Sequence, residues 1–492
     1  MAAQPTTRWQ VSGYRFLVRR MEHALVRRDV RMLNDPMRAQ SRALAVGAVV
    51  ACIGLAACAA LALIRPQDKI GNASIVVGKD SGAMFVVMDG TLHPVLNLAS
   101  ARLVVGESAK PVMIKESEID TRPRGALVGI PGAPSALPAG GGTEGQPWTV
   151  CDTVSPDGRR SVATTTVVVG EPTWSDRVGQ LDSGQALLVS QSDATFLVYD
   201  GHRAPIDLDD QAVTRALGLE GAHPRPISRG MLNAIPETLP IAAPPVDGAG
   251  SAPNYEIAGR TVGSVVKVKR GDDARYYVVL QDGVQEVSEA TAVLIHFSDS
   301  QGQSEVPTVA PDALAKAPAS HGLDVATFPS APPRLVSDTD EPVGCLTWTP
   351  QGSVEGDDSG RVDATLAVSA GRALPIPDDA RTVRLAQADG PGDNADAVYV
   401  RPGSSGFVQA TGLESGSTRK GGLFFVADTG VRYGVKNADA AKALGFEVPG
   451  PPAPWRIVEL LAPGPTLGRE EALVAHDGVA PDDAAAPVAA GN

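Results

Sequence analysis

Between Ala43 and Ile64 the chain reads ALAVGAVVACIGLAACAALALI, 22 positions without a charge, Asn, Gln or Pro. As a helix this run is about 33 Å long, roughly the thickness of a bilayer's hydrocarbon core, and it predicts one membrane span. Upstream the apolar positions take a helical period. Tyr14, Leu17, Val18, Met21 and Leu25 recur at steps of three and four, with Arg15, Arg19, Arg20, Arg27 and Arg28 around them. The pattern predicts an amphipathic helix over Val11–Leu33, ended by Asn34-Asp35-Pro36 because the residue before proline avoids the α region. Such a helix lies on anionic headgroups or docks on a cytoplasmic partner through its apolar stripe, and the pattern leaves both open. For docking, the candidate residues are Arg8, Tyr14, Leu17, Arg19, Arg20, Met21, Leu25, Arg27 and Arg28.

Beyond the span the pattern turns to short strands, and it repeats. Four segments join an apolar strand to an acidic-Gly turn: MFVVMDGT from Met84, TFLVYDGH from Thr195, YYVVLQDGV from Tyr276 and LFFVADTGV from Leu423. Each predicts a hairpin, since Gly accepts positive φ without steric cost. Helical stretches follow some turns, most clearly Asp210–Glu220 and Asp439–Glu447, which share Ala-Leu-Gly, an apolar residue and Glu. The turn glycines are Gly90, Gly201, Gly283 and Gly430. Cys151 lies 61 residues after Gly90 and Cys345 lies 62 after Gly283, each near a Trp (Trp148, Trp348). The far side therefore reads as a duplicated unit. Strands such as Ser161–Gly170 and Arg361–Gly371, alternating Val with Thr or Ala, predict two half-cores that assemble into one central β domain.

Charge orients this layout. Residues 1–42 carry nine Arg and no Lys against Glu22, Asp29 and Asp35, a net +6, whereas the chain beyond the span carries −19. Excess Arg beside a span stays cytoplasmic, so the N-terminus is expected inside and the large acidic part outside. An ectodomain at −19 repels nucleic acid, which is not expected as a partner. Aromatic residues make up only 4% of the chain, against 52 Gly and 40 Pro, a composition of short strands and many turns. The 42 residues preceding the run, and its length, exceed those of a cleavable signal sequence. Leu55-Ala56-Ala57-Cys58 has the look of a lipoprotein box, but Ala59–Ile64 continue the apolar run past it.

Cys151 and Cys345 are the only cysteines outside the span, and an even count in an exported, oxidising compartment predicts a disulfide between them. Closing a loop of 194 residues is worth up to about 5 kcal/mol. Cys52 and Cys58 read as small apolar residues of the span. From Leu467 to Asn492 the chain is rich in Ala, Pro and Asp and is expected to be disordered or loosely draped.

Catalytic patterns are missing from the sequence. It has no GxxxxGK[ST], HExxH or GxSxG, and none of its seven His lies three or four residues from another. Gly416–Leu423 holds Gly, Lys and Ser/Thr in the wrong order for a phosphate cradle and reads as an exposed loop. Asp207, Asp209 and Asp210 lack the EF-hand register and read as a helix start. Asn72-Ala73-Ser74 fits a glycosylation sequon, a common pattern. No catalytic residue, metal or cofactor is expected.

The Arg-rich run TRWQVSGYRFLVRRMEHALVRRDVRMLNDP from Thr7, one span, and a Gly/Pro-rich ectodomain with four hairpins and two Cys together resemble the EccB family. EccB is the single-pass membrane component of actinobacterial type VII (ESX) secretion systems. The resemblance covers essentially the whole chain. It implies an α+β protein whose periplasmic domain sets four hairpin-helix repeats around a disulfide-closed β core. It also implies assembly with the EccC-type motor ATPase, EccD, EccE and the mycosin protease into a hexameric inner-membrane complex. Family members are sometimes described as ATPases. Without a Walker motif in this chain, nucleotide hydrolysis is expected of the motor partner. The repeats are similar to a phage-lysin wall-binding fold, which implies peptidoglycan contact by analogy alone. The expected layout is a cytoplasmic segment 1–42, span 43–64, repeat 70–122, half-core 123–190, repeats 191–250 and 255–319, half-core 320–405, repeat 406–466 and tail 467–492. Three roles compete: a structural secretion subunit, a tethered wall binder, and a nucleotide hydrolase.

Overall fold

A computed structural model of the chain describes residues 6–28, 30–31, 36–64, 70–138, 145–157, 160–257, 259–271, 273–351, 360–401, 406–418 and 421–479. The chain divides into two compact units, Met1–Gly71 and Asn72–Asn492.

The first unit holds two helices. Arg8–Arg27 opens with a capping box in which the Gln10 amide donates to the Thr7 hydroxyl and the Thr7 amide to the Gln10 side chain. It closes at Arg28, which turns left-handed (φ 58°) and returns its N–H to the Ala24 carbonyl. The helix thus starts three residues before the expected Val11 and stops six before Leu33. The apolar stripe runs out at Leu25, three residues before the left-handed Arg28. The expected stop at Asn34-Asp35 lies outside the described residues. The second helix, Pro36–Ile64, contains a stretch long and apolar enough to cross a membrane, Gln40–Leu61, with mean hydropathy 2.5. It begins seven residues before the apolar run, on a proline suited to a first helical turn.

The second unit is built on an eight-stranded sheet. Its strands run in the order Val383–Arg384, Ala397–Val400, Arg160–Val169, Trp148–Asp157, Val343–Gln351, Arg361–Gly371 and Ser417–Thr418, with Val178–Gln180 also paired to Arg361–Gly371. These strands come from residues 148–180 and 343–400, with Ser417–Thr418 added at the edge. At its middle, Trp148–Asp157 and Val343–Gln351 run antiparallel with Cys151 opposite Cys345, Thr149 opposite Thr347 and Trp148 opposite Trp348. Both Trp side chains are fully buried.

Four hairpins lie outside this sheet: Met84–Met88 with Thr91–Pro94, Ala194–Tyr199 with His202–Ile206, Asp273–Val279 with Val284–Val287, and Leu423–Val426 with Val431–Val435. Each extends an antiparallel strand before it (Ile75–Gly78, Gln185–Gln191, Val265–Arg270, Gly406–Thr411). Each is followed by a helix (Leu98–Val105, Gln211–Ala216, Glu289–Ser298, Ala438–Leu444) capped by Asn97, Asp210, Ser288 or Asn437. In the first two turns Asp89-Gly90 and Asp200-Gly201 both take positive φ, the signature of tight hairpins. Gly283 departs from that expectation. It lacks a positive φ, and its turn is closed instead by the Leu280 amide on the Gly283 carbonyl.

Packing pairs the hairpin units out of chain order. The second and fourth share one core with the central sheet, through Phe196 and Met231 on one side and Val426 and Ile457 on the other. The first and fourth share another, where Ala99 and Leu103 meet Ala440 and Leu444. The second and third meet through Val213 and Leu217 against Ala290 and Leu294.

The segment after Leu467 is not loosely draped as far as Val479. Leu467 and Ala472 are fully buried in the core shared by the first and fourth units, Arg469–Ala472 is helical, and Ala475–His476 pairs with Leu127–Val128. A few apolar residues suffice to fix it against an existing cluster, whatever the average composition. Residues 480–492 lie outside the described residues. In the Gly416–Leu423 stretch, Ser417–Thr418 is a short strand on Arg361–Val362 rather than open loop.

Candidate functional site

Two surfaces and one buried cluster carry what the chain offers to partners. On the first helix, Tyr14 (69% exposed), Leu17, Met21 and Leu25 (82%) form one line of unburied apolar side chains. Arg8, Arg19, Arg20 and Arg27 are exposed around them on the same helix, and Arg28 lies in its left-handed cap. The structure so brings the nine candidate residues onto one short element. It adds a second line, Trp9, Phe16 and His23, spaced by seven. Trp9 and Phe16 lie about 140° and 160° from Tyr14 around a helix of 100° per residue. Both are exposed, Trp9 at 88%. The seven-residue spacing was readable in the sequence but is hidden among arginines.

In the second unit, Cys151 and Cys345 form a disulfide with a Cα–Cα distance of 4.0 Å, and both are fully buried. The neighbouring Asp152 carboxylate, also buried, accepts the Ser228 amide (2.6 Å), the Ser228 hydroxyl (2.9 Å) and the Thr165 hydroxyl (2.9 Å). Burial pushes this carboxyl above its ordinary value, opposed by those donors and by the charge of Arg225. Arg225 in turn donates to the carbonyls of Glu341 and Pro342, fixing the chain where it enters the strand carrying Cys345. Asp396 extends the cluster by accepting the Thr165 and Gly390 amides, both at 2.7 Å. No sequence signal marks these residues, because the partners of Asp152 lie 13 and 76 positions away and Asp396 reaches Thr165 across 231.

A cavity of about 510 Å³ opens beside the fourth hairpin, walled by Phe424, Trp455, Thr411, Thr418 and Gly421–Gly422. Phe424 and Trp455 stack with centroids 5.2 Å apart, and the Arg432 guanidinium sits 5.4 Å over Trp455. Arg456, its lining cation, pairs with Glu459 at 3.2 Å. This lining suits contact with an apolar or flat group and places no acid–base pair. Asp210 caps its helix through the Ala212 amide, while Asp207 accepts the Asp209 amide, as a helix start requires. Among the described residues, no group of three His, Cys, Asp or Glu is placed to hold a metal.

Residues 3–481 match the family described as "Type VII secretion system ESX-1, transport TM domain B". The chain belongs to the EccB family. It is 42% identical to the "ESX-3 secretion system ATPase EccB3" of Mycolicibacterium smegmatis (strain ATCC 700084 / mc(2)155), over 96% of this chain and 91% of that one. It is 38% identical to the "ESX-1 secretion system ATPase EccB1" of Mycobacterium tuberculosis (strain ATCC 25618 / H37Rv), over 100% and 99%. Among solved structures, a chain of an intact ESX-5 inner membrane complex matches with TM-score 0.75 and 32% identity, covering 100% of this chain and 99% of that one. A chain of the EccB3 dimer from the ESX-3 core complex matches with TM-score 0.70 and 36% identity, over 82% and 100%.

Proposed function

We propose that this EccB-family chain is a structural, oligomerising core subunit of a type VII (ESX) secretion complex in the inner membrane. The observation that carries the proposal is the extent of the match. A chain inside an ESX-5 inner membrane complex aligns with this one from end to end, including the Arg-rich helix, the span and the sheet-based unit. The +6 segment before the span and the −19 beyond it support a cytoplasmic N-terminus and a periplasmic C-terminal domain.

In this reading the four hairpin units are repeats of one ancestral element around the central core. Supporting it, Phe85, Phe196, Tyr277 and Phe424 occupy the same position in their hairpin strands. The second strand of each hairpin is also bridged in parallel by a returning segment, through Arg124, Glu237, Ala319 and Ala462. The Arg-rich helix docks on cytoplasmic partners and the periplasmic domain meets copies of itself around the export path, six copies to a complex that also holds an EccC-type motor, EccD, EccE and the mycosin protease. Native mass measurement of the detergent-extracted chain tests this. Multimers are expected, and a chain that stays a lone monomer overturns the reading. So does labelling that reaches a Gly271→Cys variant from the cytosolic side.

A further inference from the structure

The four repeats do not use their equivalent faces alike. In the second and fourth, the face bearing Phe196 or Phe424 seats on the chain's own central sheet. Their hairpin tips follow, so that a Cβ at Gly201 would meet Leu366 and one at Gly430 would meet Val398. The corresponding face of the third repeat, with Tyr277, Val279, Val284, Leu314 and Ala317, does not join that core. It is covered by Tyr255 and Ile257, from the linker that enters the repeat. The Tyr255 phenol donates to the carbonyls of Leu280 and Gly283, at 3.2 and 2.7 Å, at the tip that its counterparts press into the sheet. Beside it, the Asn254 amide donates to the Gln281 carbonyl, and the Gln281 side chain donates back to Asn254 and Ala252.

The cover is short and irregular, held to the tip by hydrogen bonds from Tyr255 and between Gln281 and Ser251, Ala252 and Asn254. Ser251–Ile257 forms neither helix nor strand, is preceded by the left-handed Gly248 and Gly250, contains Pro253, and puts two side chains on the face. The two faces that need no such cover are filled by a sheet surface belonging to this same protein. That observation names the occupant.

We propose that Ser251–Ile257 is a displaceable strap over a docking face of the third repeat, and that a second copy of this chain displaces it. The inference rests on the assembly reading above and deepens it. In the isolated chain the strap keeps an apolar face from water and from unspecific contact. On assembly the neighbour takes its place, and the linker between the second and third repeats is freed to adjust.

The test uses the full-length chain in detergent, with Cys52→Ala and Cys58→Ala removing the span thiols. Asn254→Cys with Gln281→Cys allows the strap to be locked down by oxidation and released by mild reductant, the Cys151–Cys345 bond being buried. Self-association is read by native mass across a concentration series. The lock is expected to weaken it at least tenfold, release to restore it, and Tyr255→Ala to strengthen it. A locked chain that self-associates like the released one overturns the strap, whatever Tyr255→Ala does. A released chain that never leaves the monomer overturns the assembly reading and the strap with it.

Discussion

Ser228 gives both its backbone amide and its hydroxyl to the carboxylate of Asp152, at 2.6 and 2.9 Å, joining the second hairpin unit to the middle of the central sheet. Asp152→Ala strands these two donors and the Thr165 hydroxyl in a buried site, at a cost of about 3 kcal/mol. Asp152→Asn, which keeps an acceptor, loses less. The pH dependence has a fixed sign. A folded carboxyl raised above its ordinary 3.8 holds its proton longer than the unfolded chain does. Stability therefore falls as pH climbs from about 3.8 to the raised value and is flat beyond. Thermal unfolding of wild type and Asp152→Asn across acid pH checks this: the wild-type advantage should shrink over that window.

Gly90 and Gly201 have nearly the same backbone, φ 79° and 78°, but different surroundings. A Cβ at Gly90 meets nothing within 4 Å, so Gly90→Ala loses only the left-handed preference, about 1 kcal/mol. At Gly201 the Leu366 Cβ lies 2.6 Å from the added carbon and the Leu366 carbonyl 3.0 Å away. Gly201→Ala therefore loses a further 1–3 kcal/mol or so. Denaturant midpoints of the two variants should differ in this order, and equal losses would contradict the docked tip.

The sequence made these hairpins legible because an Asp-Gly turn between apolar runs is a local signal, and Asp89-Gly90 and Asp200-Gly201 satisfy it with neighbouring residues alone. The candidate span and the two disulfide cysteines were legible for the same kind of reason: run length and a count of two. What escaped depends on distant partners. Asp152 reads as an ordinary strand residue until Ser228, 76 positions on, is placed against it. Leu467 and Ala472 sit among Pro, Gly and Asp, and their burial follows from the pairing of the first and fourth units, which no period in the chain announces. On the first helix, the stripe from Tyr14 to Leu25 was visible as a three-four spacing. Trp9 and Phe16 fell outside that stripe and passed unremarked.

Cys151 and Cys345 join strands separated by 194 residues, so the bond constrains the unfolded chain strongly. Cys151→Ser with Cys345→Ser should lower stability by up to about 5 kcal/mol. Because both cysteines are buried, reductant should leave the bond closed while the chain is folded and open it only on unfolding. A folded chain that reductant opens quickly would contradict this burial.

Glu116 shows the opposite titration to Asp152. Its carboxylate accepts the Ser81 amide and hydroxyl and the Asp80 amide, which hold it down to about 2 from 4.5. A depressed carboxyl stabilises above its unfolded value and loses that contribution as pH falls through its folded one, so the window runs from about 4.5 down to about 2. Exchange protection of the Asp80 and Ser81 amides, compared with Glu116→Gln at each pH, should converge toward the variant across that window. Protection that never exceeds that of Glu116→Gln would remove the carboxylate from the account.

The first helix, Arg8–Arg27, offers a way to tell a protein partner from a lipid surface by its two apolar lines. A helix lying on headgroups needs one apolar face. Here Tyr14, Leu17, Met21 and Leu25 form one line, while Trp9 and Phe16, also exposed, lie about 140° and 160° round the helix from Tyr14 and about 80° and 100° from Leu17. A protein groove with a second contact behind it uses both lines; a bilayer surface reaches only one. Burying a Leu or Met is worth about 1.5–3 kcal/mol. Leu17→Glu with Met21→Glu should therefore cut co-purification of cytoplasmic partners more than tenfold, and Trp9→Ala with Phe16→Ala should also lower it. Arg19→Glu with Arg20→Glu should make the residual binding less sensitive to salt. If the Trp9 and Phe16 variants co-purify partners like wild type while the Leu17 and Met21 variants lose only binding to anionic vesicles, the helix is a membrane-surface element and the docking assignment fails.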